Sequence, residues 1–304
     1  MSVAAIQAAP MLFDRRESEA RFTHWLGRAR EAGIELAVFP EAFLGGYPKG
    51  VDFGTRVGSR DAEGRELFRR YAETAYAKDG DDFARICGLV ADAGLTVVTG
   101  LIERLGGTLY CVAATIGPDG ALLGWHRKLV PTAMERLIWG QGDGSTMAAA
   151  DTAAGKVSTA ICWENYMPHF RAHLYNQGTQ IYAAPTVDDR EAWSPTMQMI
   201  AIEGRCFVVS ACQYMLRGDV AGDGYDAIQG NDPDTLLIGG GSMIVSPMGE
   251  VLAGPLRGAA GMVEAEIDLD DIVRAQFDRD VAGHYARPDI FRVETDTSSR
   301  LYNG

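Results

Sequence analysis

Three apolar stretches each end on a side chain able to do chemistry: Ala37-Val38-Phe39-Pro40-Glu41, Gly124-Trp125-His126-Arg127-Lys128 and Ser158-Thr159-Ala160-Ile161-Cys162. A cysteine attacks as its thiolate, and a free pKa of ~8.5 means that a partner must take the proton near neutrality. A carboxylate such as Glu41 can take it, and a lysine ammonium can stabilise negative charge developing on a substrate. The ends of strands are where α/β scaffolds commonly present such groups. The three residues are far apart along the chain, so spacing alone does not bring them together.

Taken singly, each has an ordinary reading. Glu41 would serve as a solvated strand-end residue, and Lys128 as a surface charge after a hairpin. Cys87, Cys111, Cys206 and Cys212 lie inside apolar patterns and read as small core residues. No CxxC pair is present among the five cysteines, which supports neither a disulfide framework nor a zinc cluster. His169 and His173 stand one helical turn apart, but no third ligand is suggested, so they read as a solvated face. Gly140-Gln141-Gly142-Asp143-Gly144 lacks the GK[ST] ending of a phosphate loop and reads as a plain loop.

The elements that must position these residues alternate between strand and helix. Val3 to Ala8 reads as a buried strand, and Asp14 caps a helix whose stripe is Phe22, Trp25, Leu26 and Ala29, ended by Gly33. Leu36 to Phe39 is a strand delivering Glu41. Leu95 to Glu103 and Leu109 to Ile116 are strands, and Gly117-Pro118-Asp119-Gly120 turns the chain into Ala121 to His126. Val157 to Ile161 delivers Cys162, a helix runs from about Pro168 to Gln177, and Gln180 to Ala184 is the next strand. Ser194 and Pro195 suit a helix start, with Met197, Ile200, Ala201 and Gly204 as its stripe. Cys206 to Ala211, Ser242 to Ser246, Glu250 to Ala253 and Gly261 to Ile267 follow as strands, then a helix from Asp268 to Phe277. Tight turns between several strands suit two mixed sheets with helices outside. With no linker or repeat, residues 1–290 read as one domain and 291–304 as a tail.

Composition narrows the function classes. Of 304 residues, 47% are hydrophobic, enough for a substantial core. The net charge is −13, a surface that repels phosphate backbones and anionic lipid, so neither nucleic acid nor membrane is an expected partner. No apolar run approaches the ~20 residues of a membrane helix. The opening Met1 to Ile6 has no basic residue before its apolar stretch, unlike a secretory signal, so a reducing, cytoplasmic setting is expected.

Phe39-Pro40-Glu41-Ala42, His126-Arg127-Lys128-Leu129-Val130-Pro131-Thr132 and Ile161-Cys162-Trp163-Glu164-Asn165 resemble the three signature segments of the nitrilase superfamily. The resemblance runs in order from the first strand to Gly283-His284-Tyr285-Ala286-Arg287-Pro288-Asp289. Cys162-Trp163-Glu164 is similar to the nucleophile segment of the true nitrilases, where amidase branches tend to carry Tyr or His and then Asp. Pro131 to Arg136, Ala184-Pro185-Thr186 and Glu203-Gly204-Arg205-Cys206 are similar to the same branch. This resemblance implies a four-layer α-β-β-α sandwich with Glu41, Lys128 and Cys162 at one end of the sheets, and a second acid, Glu135, near the lysine. It further implies nitrile hydrolysis to acid and ammonia without metal or organic cofactor, and a homodimer or larger homo-oligomer paired through an outer helical layer. The helix around Phe170 and Leu174 is the candidate for that contact. An amidase or carbamoyl hydrolase with the same three residues is the alternative activity, and an idle oligomeric scaffold is the alternative class. Tyr47, Thr132, Trp163, Trp193 and Met197 flank the signature segments or begin the following helix, and are expected to line the substrate pocket.

Overall fold

The computed structural model of the chain describes residues 1–222 and 224–300. Its first half runs β1 (Ser2–Gln7), α1 (Arg15–Glu31), β2 (Leu36–Val38), α2 (Ala62–Glu73), α3 (Asp81–Ala93), β3 (Thr96–Leu105), β4 (Thr108–Ile116) and β5 (Leu122–Arg127). Then come β6 (Ala150–Thr152), β7 (Gly155–Thr159), α4 (Pro168–Asn176), β8 (Ile181–Thr186), α5 (Trp193–Gly204) and β9 (Phe207–Cys212). The last elements are β10 (Tyr214–Leu216), β11 (Leu236–Val245), β12 (Val251–Arg257), β13 (Gly261–Glu266) and α6 (Asp270–Gln276).

Two mixed sheets result. The first has the order β13-β1-β2-β3-β4-β5, parallel at β1–β2–β3 and antiparallel elsewhere. The second has the order β10-β11-β9-β8-β7-β6, with β12 also on β11 and β7–β8–β9 parallel. Side chains alternate across each strand, which sorts them into layers. Val3 and Ala5 of β1 meet Ile181, Ala183, Phe207 and Val209 of the other sheet in the central core. Ala4 and Ile6 point the opposite way, onto Phe22 and Leu26 of α1 and Ile86 and Val90 of α3. Tyr182, Ala184 and Val208 likewise face outward onto α4 and α5. The fold is the expected α-β-β-α sandwich.

Asp14 caps α1 by accepting the Glu17 N–H at 3.0 Å. Helices α2 and α3 lie outside the sequence expectations, although Phe83, Ile86 and Val90 repeat at helical spacing along one buried face of α3. The α5 helix begins before its expected cap. Trp193 N donates to Arg190 O at 3.0 Å, so Ser194 and Pro195 sit inside the first turn. Proline is tolerated there because first-turn N–H groups have no partner within the helix. In α4, the helix expected to make an oligomer contact, Phe170 and Leu174 pack inward among Tyr182 and Ile200, and Pro168, His169, Ala172 and Asn176 form the exposed face. Residues 291–300 are exposed and without regular structure, and Arg300 N reaches Asp143 Oδ2 at 2.7 Å. The remainder of the expected tail, 301–304, lies outside the described residues. No helix among the described residues is long and apolar enough to cross a membrane.

Candidate active site

Glu41 stands just beyond β2, where the chain must cross close over β3. A methyl group built on Gly100 would lie 2.3 Å from Pro40 O and 2.4 Å from Ala42 N, so glycine is what permits the crossing. Hydrogen bonds from Gly100 N to Pro40 O and from Leu44 N to Gly100 O secure it. From the second sheet, Gln213 Nε2 donates to the Glu41 carbonyl at 2.7 Å. Lys128 follows β5, and Cys162 opens a short 3-10 turn, Cys162–Tyr166, after β7. Ala42, Ala133 and Cys162 all have positive φ, at 51°, 47° and 51°. Left-handed non-glycine residues cost energy and often occur at functional sites; here one is Cys162 itself, and Ala42 and Ala133 lie close to Glu41 and Glu135 in the chain.

The three expected residues converge, with Glu135 as a fourth. Lys128 Nζ donates to Glu41 Oε1 at 2.5 Å and to Glu135 Oε2 at 2.7 Å, with the Trp139 ring centroid 5.6 Å away. Glu135 Oε2 also accepts the Thr132 N–H at 2.6 Å, and Tyr47 Oη donates to its other oxygen at 2.9 Å. Cys111 Sγ lies 3.7 Å from Glu41 Oε1, so a cysteine that reads as a core residue touches the site. Glu41, Lys128 and Cys162 are all buried.

Burial sets the electrostatics. It pushes the Glu41 carboxyl up to about 7, against the pull of the Lys128 ammonium and with the Glu135 charge adding to the rise. Burial disfavours the Lys128 ammonium, yet the surrounding acidic groups, Glu41 first and then Cys162 and Glu135, together hold its pKa well above the ordinary lysine value. The Cys162 thiol is pushed well above the usual cysteine range, first by burial and then by the charge of Glu41. At neutral pH the cysteine is therefore a thiol, and it lies beside a carboxyl whose pKa is about 7.

Several buried polar atoms at this end of the sandwich have no protein hydrogen-bond partner: Glu41 Oε2, Thr132 Oγ1, Asn165 Oδ1 and Gln213 Oε1. Such atoms are uncommon in a folded interior; Glu41 Oε2 is the one that belongs to a convergent residue, while others, such as Tyr182 Oη and Arg205 Nε, lie elsewhere in the fold. Two cavities open beside the Ala133–Leu137 turn. One, of about 480 Å³, is lined by Tyr47, Phe53, Met134, Leu137 and Ile228. The other, of about 430 Å³, is lined by Thr132, Val130, Trp163 and Met167. Trp163 is held in place by a 2.9 Å hydrogen bond from Nε1 to Asp188 Oδ2 and by the Arg190 guanidinium 4.7 Å over its ring. Trp193 and Met197 line neither. Both are buried under α5 against Tyr182 and Val208, with Trp193 Nε1 donating to Ser210 Oγ at 2.9 Å. The α5 stripe that carries Met197 is the face turned to the sheet, away from the pocket. Gln213 and Trp139 are neighbours of the site that no local sequence pattern singles out.

Residues 2–277 match the family model described as carbon-nitrogen hydrolase. The chain is 51% identical to a nitrilase of Bradyrhizobium diazoefficiens over 96% of its own length and 91% of that protein. It is 50% identical to an arylacetonitrilase of Trametes versicolor, covering 96% of this chain and 94% of that one. Its fold is similar to the crystal structure of a Saccharomyces cerevisiae protein described as a member of branch 10 of the nitrilase superfamily. The TM-score is 0.72 at 19% identity, with 96% and 97% of the two chains covered.

Proposed function

This chain belongs to the carbon–nitrogen hydrolase family, within its nitrilase branch, and on that premise we propose that it hydrolyses an organic nitrile, R–C≡N, with two waters to R–COOH and ammonia. The observation that carries the reading is the buried thiol of Cys162 beside a carboxyl whose pKa lies near 7, with a lysine clamped between two acids.

Glu41 takes the thiol proton as sulfur attacks the nitrile carbon, and that proton passes to the nitrile nitrogen to give a thioimidate, R–C(=NH)–S–Cys162. Glu41 next deprotonates a water that adds to the same carbon. Protonation of the amino group then lets ammonia leave, and a thioester remains. A second water, activated in the same way, releases the acid and restores the thiol. Lys128 has three ammonium protons, of which Glu41 and Glu135 engage two; the third is available to charge developing in the tetrahedral intermediates. Glu135 fixes Lys128 in place, and Tyr47, Thr132 and Trp163 bound the substrate. Neither a metal nor an organic cofactor enters any step.

Around this centre we place residues 1–290 in one domain with a C-terminal tail, acting as a homodimer or larger homo-oligomer in the cytoplasm. The apolar lining of the Tyr47 cavity favours an apolar R group. A panel of aliphatic, aromatic and arylaceto-nitriles beside their matched amides, with acid, amide and ammonia measured separately, tests the assignment. Turnover of the amides with none of the nitriles would replace it with an amidase.

A further inference from the structure

The Glu164 carboxylate is fully buried and joins the two sheets at the catalytic end. Its Oε2 accepts the N–H of Ile161, the residue before Cys162, at 2.7 Å. Its Oε1 accepts the N–H of Leu129, the residue after Lys128, at 2.6 Å. His126 Nε2 lies 3.1 and 3.0 Å from the two oxygens. The imidazole is itself fixed: Nδ1 is 3.2 Å from Thr146 O, and the ring stacks on Phe170 of α4 with centroids 5.3 Å apart. One side chain is thus bonded to the backbone beside the nucleophile, on the second sheet, and beside the lysine, on the first. Lys128 follows β5, an edge strand of its sheet, so no further strand of that sheet is available to hold the Leu129 N–H.

We propose that Glu164, held by His126, is a positioning residue that sets the placement of Lys128 relative to Cys162. It acts through the backbone on either side: its carboxylate is buried, and backbone donors already occupy both of its oxygens, although the residue also borders the cavity lined by Thr132 and Trp163. The inference rests on the chemistry proposed for Cys162 and Lys128. Reactions of this kind are sensitive to such placement, since a misplacement of ~1 Å can cost about 10²-fold in rate. The tetrahedral intermediate R–C(OH)(NH₂)–S–Cys162 offers a second readout. Breaking its C–N bond gives ammonia and the thioester, whereas breaking its C–S bond gives the amide R–CONH₂ and free thiol. The choice depends on groups placed to assist the departing amine, so a shifted lysine raises the amide share.

The test is Glu164→Gln, which puts an amide NH₂ where one backbone N–H needs an acceptor, with His126→Gln as a milder second variant. Both are assayed on the best nitrile beside Cys162→Ala, with folding followed by circular dichroism. The expected result is kcat lowered about 10²-fold in Glu164→Gln and about tenfold in His126→Gln. KM should stay within about threefold, and the amide share should rise in both. A smaller folded fraction would lower the apparent kcat but leave the product ratio unchanged. If Glu164→Gln does not fold, the ratio in His126→Gln decides. Wild-type kcat and product ratio in the folded variants, or a large rise in KM alone, overturn the proposal. If Cys162→Ala still turns over nitrile, the proposed function fails; if it is inactive while Glu164→Gln behaves as wild type, only the positioning role fails.

Discussion

Glu135 Oε2 lies 2.7 Å from Lys128 Nζ although Pro131 and the left-handed Ala133 stand between them in the chain. The turn they form folds the acid back onto the lysine, where Thr132 N–H and Tyr47 Oη hold it from two other directions. Glu135→Gln removes the charge on one side of a buried ammonium. We expect kcat on the best nitrile to fall by about 10²-fold, the scale of losing a preorganised electrostatic contact. Tyr47→Phe removes only one of the hydrogen bonds to that acid and should cost no more than about tenfold. Equal effects of the two variants in steady-state kinetics would place the role on Tyr47 rather than on the acid.

Lys128→Arg should be nearly as damaging as Lys128→Ala. The ammonium is fully buried between two carboxylates and beside the Trp139 ring, a site fitted to a compact cation. Arginine keeps the charge but brings a wide planar fork with a different reach. Folded Lys128→Arg retaining activity within about twofold of wild type would show that Lys128 is not the charge-stabilising residue.

The pH profile follows from the carboxyl and the thiol together. Glu41 must be ionised to take a proton, and burial lifts its pKa to about 7. The limb of kcat/KM should therefore fall as pH drops through about 7, well above the usual carboxylate range. The thiol and the ammonium both titrate well above their ordinary values, so neither imposes a descending limb in the neutral range. A profile flat from pH 5 to 8 would rule out Glu41 as the base.

Gly100→Ala should inactivate the chain without touching any reacting group. Its methyl would press on the backbone at Pro40 and Ala42 and push Glu41 from its place. We expect a loss of at least about 10²-fold in kcat and a stability cost of about 1–3 kcal/mol, the usual scale of overpacking. Wild-type kcat together with an unchanged urea midpoint would refute the crossing's importance.

Much of this site can be read from local sequence, because Glu41, Lys128 and Cys162 each stand just past the end of a strand, in recognisable segments. Trp193 and Met197 show the limit. Their neighbourhood in the chain suggests the pocket, while the helical stripe containing Met197 already assigns it to the buried face of α5. Gln213 reaching the Glu41 carbonyl, Cys111 touching its carboxylate and Glu164 bridging two sheets depend on side chains meeting across the sandwich. No periodicity within a segment encodes such meetings. Neither α2 nor α3 is among the sequence expectations, although Phe83, Ile86 and Val90 of α3 and Leu67, Phe68 and Tyr71 of α2 each fall on one helical face.

The central claim is that Cys162 forms the covalent intermediates. Rapid quenching of the wild-type chain during nitrile turnover, followed by intact-mass and peptide mass spectrometry, tests it most directly. The expected result is a mass gain of the nitrile or of its acyl group, confined to the peptide carrying Cys162. Cys162→Ala should give neither adduct nor turnover. An adduct on Cys111 or Cys212, or a Cys162→Ala chain that still hydrolyses nitrile at about a tenth of the wild-type rate or more, would contradict it.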